Sequence, residues 1–429
     1  MKKNTLPYFI PFLVAIYDYD YFPILAVISI SIIFFTNNEI ILKKSWLKFS
    51  FFSFLLIRLL SAINLTFTDT WLRISQKNYS LDFRFIDMQE AFMSLYCSQR
   101  NVGDTFLIYG SSRSMTCPYN ISYGPFFEFI NLKANPWTAT LITSILILIL
   151  IFLFYNSLLK NESSKNSYLV TIFFFSPSLN FVLERMNLDI FIVIVLVISY
   201  RYIKNEYARN LVIFMLALIK YYPAFIFISN IAQKLISKKL KTIKIDLAFI
   251  SIFIGTILLS FIYFGIEFKQ PIRPIRSDRT FGLLSEAQNL QHAFNVKTIY
   301  GYFFLFLILI YIIFLINKSF IYSRLYESNI DFTFINLFLA LSFFANYDYR
   351  LIILLVPIKA ILNSKNRLLW FSYSLFVFSS PGLLYSYQNH FYLVEDYFFV
   401  YIDIPFYFLL SILIVEYINF IKINTSSSN

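Results

Sequence analysis

The chain has 429 residues, 58% of them hydrophobic and only 14% charged, a balance that excludes a water-soluble globular domain. Its net charge of +12 lies mainly in short loops, where it reports orientation in a membrane and gives no reason to expect nucleic acid as a partner. Two histidines and two cysteines without metal-ligand spacing, and the lack of a glycine-rich phosphate loop, leave a metal, a cofactor and nucleotide-driven transport unexpected.

The run after Met1–Asn4 has no small-residue cleavage site before the acidic and aromatic stretch Tyr17–Tyr21, so it is expected to stay as a membrane helix. It opens an N-terminal hairpin and basic loop, residues 1–48. Later runs, Trp137–Leu159, Leu247–Ile266, Tyr300–Ile316 and Tyr397–Ile421, approach the roughly 20 residues that span a hydrocarbon core. They are apolar on every face, whereas barrel strands alternate, so helices are expected. Lys234, Lys238, Lys239, Lys241 and Lys244, with no acid before Asp246, mark an inner loop. Alternating outward from it puts Lys43, Lys44, Lys48, Lys160, Lys165, Arg201, Lys204, Arg209, Lys365, Arg367 and Lys422 on the same inner side. Roughly fourteen apolar segments result. Leu211–Ile219, Ala224–Ile231 and Leu351–Leu362 are too short to cross alone, and broken helices of this kind are tolerated where they line a cavity. The expected divisions are a core at 49–362 with an outer loop at 66–136, a C-terminal hairpin at 363–423 and a disordered tail at 424–429.

The outer side carries the chemistry-bearing residues. In the first loop Phe85, Met88, Phe92 and Leu95 recur at helical spacing, with Asp87, Glu90 and Ser94 on another face, which predicts an amphipathic helix at the interface. Asp87 then lies at the mouth of the bundle or is a solvated surface carboxylate. Both cysteines, Cys97 and Cys117, fall in this loop, and an oxidising outer compartment favours a disulfide between them. Next come Glu184, Arg185, Asn187 and Asp189, ionisable or polar groups between apolar segments, where function and structural ion pairing compete. Lys220, Tyr221 and Tyr222 precede the helix-breaking Pro223, and snorkelling is the alternative role of the lysine. Arg273, Arg276 and Arg279 recur every third residue in a proline-containing stretch, so an extended polyproline conformation aligns them on one face. Aligned guanidinium groups suit a phosphate, either of a substrate or of an anionic lipid headgroup. Asp348 and Arg350 form a third polar turn, and three such turns on one expected face point to a shared polar cavity.

Glu184-Arg185-Met186-Asn187-Leu188-Asp189 with Lys220-Tyr221-Tyr222-Pro223 resembles the E-R-G-N-x-D and K-x-Y-P pair of glycosyltransferase family 87. Arg58-Leu59-Leu60, Leu81–Asp87 and Tyr123-Gly124-Pro125-Phe126 are similar to that family's first helix, acidic loop and Y-P-P-like turn. Met186 stands where Gly is usual, and Gly124 departs from Y-P-P. The resemblance implies an all-α, polytopic bundle of the C-type glycosyltransferase fold, with broken helices and a large first extracytoplasmic loop. It implies transfer of mannose or another hexose from a polyprenyl-phosphate donor to an envelope glycan or glycolipid, with inversion, outside the plasma membrane. Asp87, or Asp82 in the same motif, is then the general base, and no metal or other cofactor takes part. The competing expectations are a flippase of lipid-linked sugars and a polymerase or ligase of lipid-linked oligosaccharides.

Overall fold

Backbone N–H and C=O groups in lipid find no water, so a chain this apolar satisfies them within helices. The structure, a computed structural model, describes residues 6–17, 22–36, 43–63, 85, 88, 91–92, 105–107, 114–116, 136–176, 179–180, 182–183, 186–236, 240–264, 280–294, 297–319, 325, 328–344, 346–364, 366–378 and 404–426. Fifteen helices described here follow in order. They are α1 (Leu6–Tyr17), α2 (Phe22–Thr36), α3 (Lys44–Ile63), α4 (Pro136–Leu159), α5 (Ser164–Phe174), α6 (Leu188–Tyr202), α7 (Glu206–Ile219), α8 (Phe225–Ile236), α9 (Leu240–Phe264), α10 (Leu283–Phe294), α11 (Thr298–Ser319), α12 (Asn329–Leu341), α13 (Ile358–Asn363), α14 (Arg367–Phe378) and α15 (Ile404–Ser426). A 3-10 turn, Tyr222–Ala224, joins α7 to α8, and a 3-10 helix, Asp348–Leu355, precedes α13.

Four helices among the described residues are long and apolar enough to cross a bilayer: Trp137–Leu159, Thr242–Leu259, Thr298–Asn317 and Pro405–Ile423. Phe22–Ile33, Ile330–Leu341 and Leu368–Phe378 are apolar but shorter. Among the described residues the expected apolar segments thus divide into full spans and shorter ones. α15 continues to Ser426, past the expected start of the tail at 424. On α4 the exposed residues Ile142, Leu146, Ile149 and Leu153 form one apolar stripe, and on α11 Ile299, Phe303, Leu307, Ile310 and Phe314 do the same. A helix that is apolar on its exposed face as well as its buried one is built for a lipid surrounding.

One apolar core runs from Phe12 on α1 to Val415 on α15. Phe175, just past α5, sits at its aromatic centre, with ring centroids 5.2 Å from Phe12, 5.8 Å from Phe22, 5.9 Å from Phe51 and 4.6 Å from Phe54. Offset and tilted ring pairs of this kind add to the area they bury, and here they join the N-terminal hairpin to α3 and α5. Phe85, Met88 and Ala91 are buried in the same core, so this part of the first loop packs against the bundle. The rest of that loop's expected helix, with Asp82, Asp87, Cys97 and Cys117, lies outside the described residues.

The connections at the lysine-rich side are tied by Glu162, which pairs with Lys359 at 2.9 Å, and by Lys44, whose Nζ donates to the Leu159 carbonyl at 3.2 Å. Burial raises the Glu162 carboxyl, but hydrogen bonds from Lys359 and Asn166 and the charge of Lys44 outweigh it and hold the group below its ordinary value.

Two small antiparallel ribbons complete the fold: β1 (Thr105–Leu107) with β2 (Ser114–Thr116), and β3 (Thr280–Phe281) with β4 (Asn346–Tyr347). The second depends on Gly282, whose φ of +110° favours glycine and whose added Cβ would lie 1.9 Å from the Phe344 carbonyl oxygen. The next residue, Leu283, donates its N–H to the Ser342 carbonyl at 2.8 Å. Gly282→Ala is expected to separate β3 from β4, with a backbone-strain cost of about 1–3 kcal/mol that lowers the midpoint of thermal unfolding in detergent micelles.

Candidate functional site

The site begins at the entry to α6. Phe175 caps the end of α5, and the chain enters α6 through Met186, whose φ of +48° lies in the left-handed region. Glycine adopts that conformation freely, whereas a residue with a side chain takes it at a cost. Met186 is nevertheless fully buried, so its side chain contributes apolar packing that glycine lacks. Asn187 then caps α6, its Oδ1 accepting from the Asp189 N–H at 2.9 Å.

Lys220 arrives from the other direction. It ends α7 with extended backbone, φ −141° and ψ 137°, because Pro223 two residues past Tyr221 cannot continue the helix. The lysine Nζ donates to Asn187 Oδ1 at 2.9 Å and lies 3.1 Å from Asp189 Oδ1. One amide oxygen thus both caps α6 and holds the ammonium. Its hydrogen bond goes to Asn187, while Asp189 supplies the opposite charge.

Arg350 closes the arrangement from the 3-10 helix, its Nε 3.4 Å from Asp189 Oδ2 and its guanidinium carbon 5.4 Å from the centre of the Tyr222 ring. The Asp189 side chain is 1% exposed, against 10% for Lys220 and 23% for Arg350, so the carboxylate is the buried hub and the cations open outward from it. Two cations thus share this one carboxylate. The cations also sit beside the α6 N-terminus, the positive end of the helix dipole, which Asp189, in its first turn, offsets.

The structure therefore brings Asn187, Asp189, Lys220, Tyr222 and Arg350 together from three separate turns. Tyr221 lies elsewhere: it is exposed and its ring packs 6.4 Å from Phe253 of α9. Asp348 opens the 3-10 helix that carries Arg350. Glu184, Arg185, Arg273, Arg276 and Arg279 lie outside the described residues, as do the acids of the first loop. Thr280 pairs with Tyr347, which directly precedes the 3-10 helix that holds Arg350.

Some buried polar groups had no prominence in the sequence. Arg58 on α3 is 4% exposed, with its guanidinium carbon 5.2 Å from the Phe54 ring. Glu416 is fully buried in α15. A third group joins Glu206, Asn210, Asn230, Lys234 and Asp246 at the opposite end of α7. A carboxylate or amide inside an apolar helix is the signal that marks such positions, because burial there is costly without a partner. Among the described residues no cluster of three or more His, Cys, Asp or Glu is arranged to hold a metal ion.

Compared with protein-family models, with curated proteins and with solved structures, the chain gives no match.

Proposed function

We propose that this chain is a C-type integral membrane glycosyltransferase that moves a sugar, mannose or another hexose, from a polyprenyl-phosphate donor to an envelope glycan or glycolipid. The observation that carries this reading is the ion group Lys220–Asp189–Arg350, two cations on one buried carboxylate, at a break between short helices of an apolar bundle. α7 has 14 residues and rises about 21 Å, which falls short of a hydrocarbon core of about 30 Å. With its basic end at the inner boundary, Lys220 lies several ångströms below the outer one. A phosphate on a lipid reaches that depth from within the membrane, and a water-soluble sugar nucleotide does not.

In the proposed reaction the acceptor hydroxyl attacks the anomeric carbon and gives its proton to Asp87. The new carbon–oxygen bond forms as the bond to phosphate breaks on the opposite face. Polyprenyl phosphate leaves with the electron pair, and Lys220 and Arg350 stabilise its added charge. The acidic motif shared with family 87 supports Asp87 as the base, with Asp82 as the alternative. The extracytoplasmic face of the plasma membrane is the proposed place of reaction.

The test is binding and turnover in nanodiscs with a radiolabelled polyprenyl-phosphate hexose. Lys220→Met is expected to weaken donor binding tenfold or more, the loss of a charged hydrogen bond being worth about 1.5–3 kcal/mol, while Lys220→Arg retains most of the affinity. Equal binding by wild type and Lys220→Met would remove the lysine from the site. Movement of the labelled lipid between leaflets without sugar transfer would replace the enzyme by a flippase.

A further inference from the structure

A second polar centre ties together the ends of α7, α8 and α9 remote from Lys220. Asp246 of α9 is fully buried and its Oδ1 accepts from Asn210 Nδ2 of α7 at 3.0 Å and from Asn230 Nδ2 of α8 at 3.3 Å. Lys234, in the last turn of α8, forms ion pairs with both Asp246 and Glu206 of α7 and donates to the Thr242 carbonyl of α9 at 3.2 Å. The Tyr200 hydroxyl donates to Asn230 Oδ1 at 3.5 Å, and the Arg209 guanidinium carbon lies 4.9 Å from the Tyr200 ring.

The lengths of the helices explain what such a clasp does. α9 has 25 residues and α8 only 12, rises of about 37 Å and 18 Å. A full span is held at one depth by matching its apolar length to the bilayer. A half-length hairpin such as α7–α8 has no such match and needs side-chain pins to fix its height. We infer that Lys234 and Asp246 are positioning residues that pin the α7–α8 hairpin to the full-length span α9. They thereby set the level at which Lys220, at the far end of the hairpin, meets Asp189. This inference stands without the chemistry proposed for the outer end.

The experiment measures depth in the whole chain, reconstituted in phospholipid vesicles, with Cys97 and Cys117 replaced by Ser. A nitroxide at Ile228→Cys, on the exposed face of α8, reports the hairpin, and one at Ile149→Cys, on the lipid face of α4, reports the rest of the bundle. Depth is read from relative accessibility to oxygen and to a water-soluble nickel chelate. Lys234→Met is expected to move the Ile228 label by about 5 Å, one helical turn, and to leave the Ile149 label in place. Lys234→Arg is expected to keep both depths. Wild-type depth at Ile228 in Lys234→Met would overturn the inference. If that variant does not fold, the triple change Lys234→Met, Glu206→Gln, Asp246→Asn leaves no unpaired charge in the clasp, and the same shift is expected of it. Unchanged depth in the triple variant would be equally decisive against it.

Discussion

Asp189→Ala is expected to destabilise the protein by about 3–5 kcal/mol, the cost of removing one member of a buried ion group. The carboxylate faces Lys220 on one oxygen and Arg350 on the other, and it is the least exposed of the three. Its loss leaves two cations beside a helix N-terminus that is itself positive. Thermal unfolding of purified protein in micelles checks the result, with Asp189→Asn as the companion that keeps the shape and removes the charge. Adding an anion should partly restore both variants, since a bound anion supplies the missing charge. A variant as stable as wild type would show that water or lipid headgroups already screen the cations.

Asp87→Asn carries the largest expected effect on turnover, a fall of roughly 10²–10⁴-fold with donor binding retained, because the amide keeps the shape of the base without its basicity. Phe85 and Met88 are both buried, and the Met88 N–H donates to the Phe85 carbonyl at 3.1 Å. Phe85 also takes a positive φ of 50°, a conformation an aromatic residue holds only where its surroundings require it. Single-turnover rates with a radiolabelled polyprenyl-phosphate hexose and the acceptor separate the chemical step from binding. Asp82→Asn should lower the rate less. Full activity in Asp87→Asn would move the role of base to another acid.

The polar turns were legible because an ionisable residue inside an apolar stretch is conspicuous. Asp189, Lys220 and Arg350 each stand beside a helix break that Asn187, Pro223 or the 3-10 geometry explains locally. The contacts among them are not local, and only packing of α6, α7 and α12 brings the three turns to one point. The clasp was hidden for a related reason. Lys234 reads as one of five lysines in a basic loop, and Asp246 as the acid that ends it. Their pairing depends on α8 folding back along α9, which hydropathy does not report. Helix starts were also misplaced: the apolar run suggests Leu211, whereas Asn205 caps α7 and starts it at Glu206. Segment length was harder to read than segment position, because an apolar run of twelve residues looks the same whether it crosses the membrane or stops halfway.

The hub at Asp189 has a consequence for how the chain is made. Arg350 is 161 residues downstream, and a ribosome working at about 5–20 residues per second reaches it on the order of ten seconds later. Lys220 follows much sooner, in the very next helix. If α6 slipped into lipid alone, its carboxylate would enter hydrocarbon with neither partner synthesised. The first helix of this pair is therefore expected to wait beside the translocation channel until the second is made.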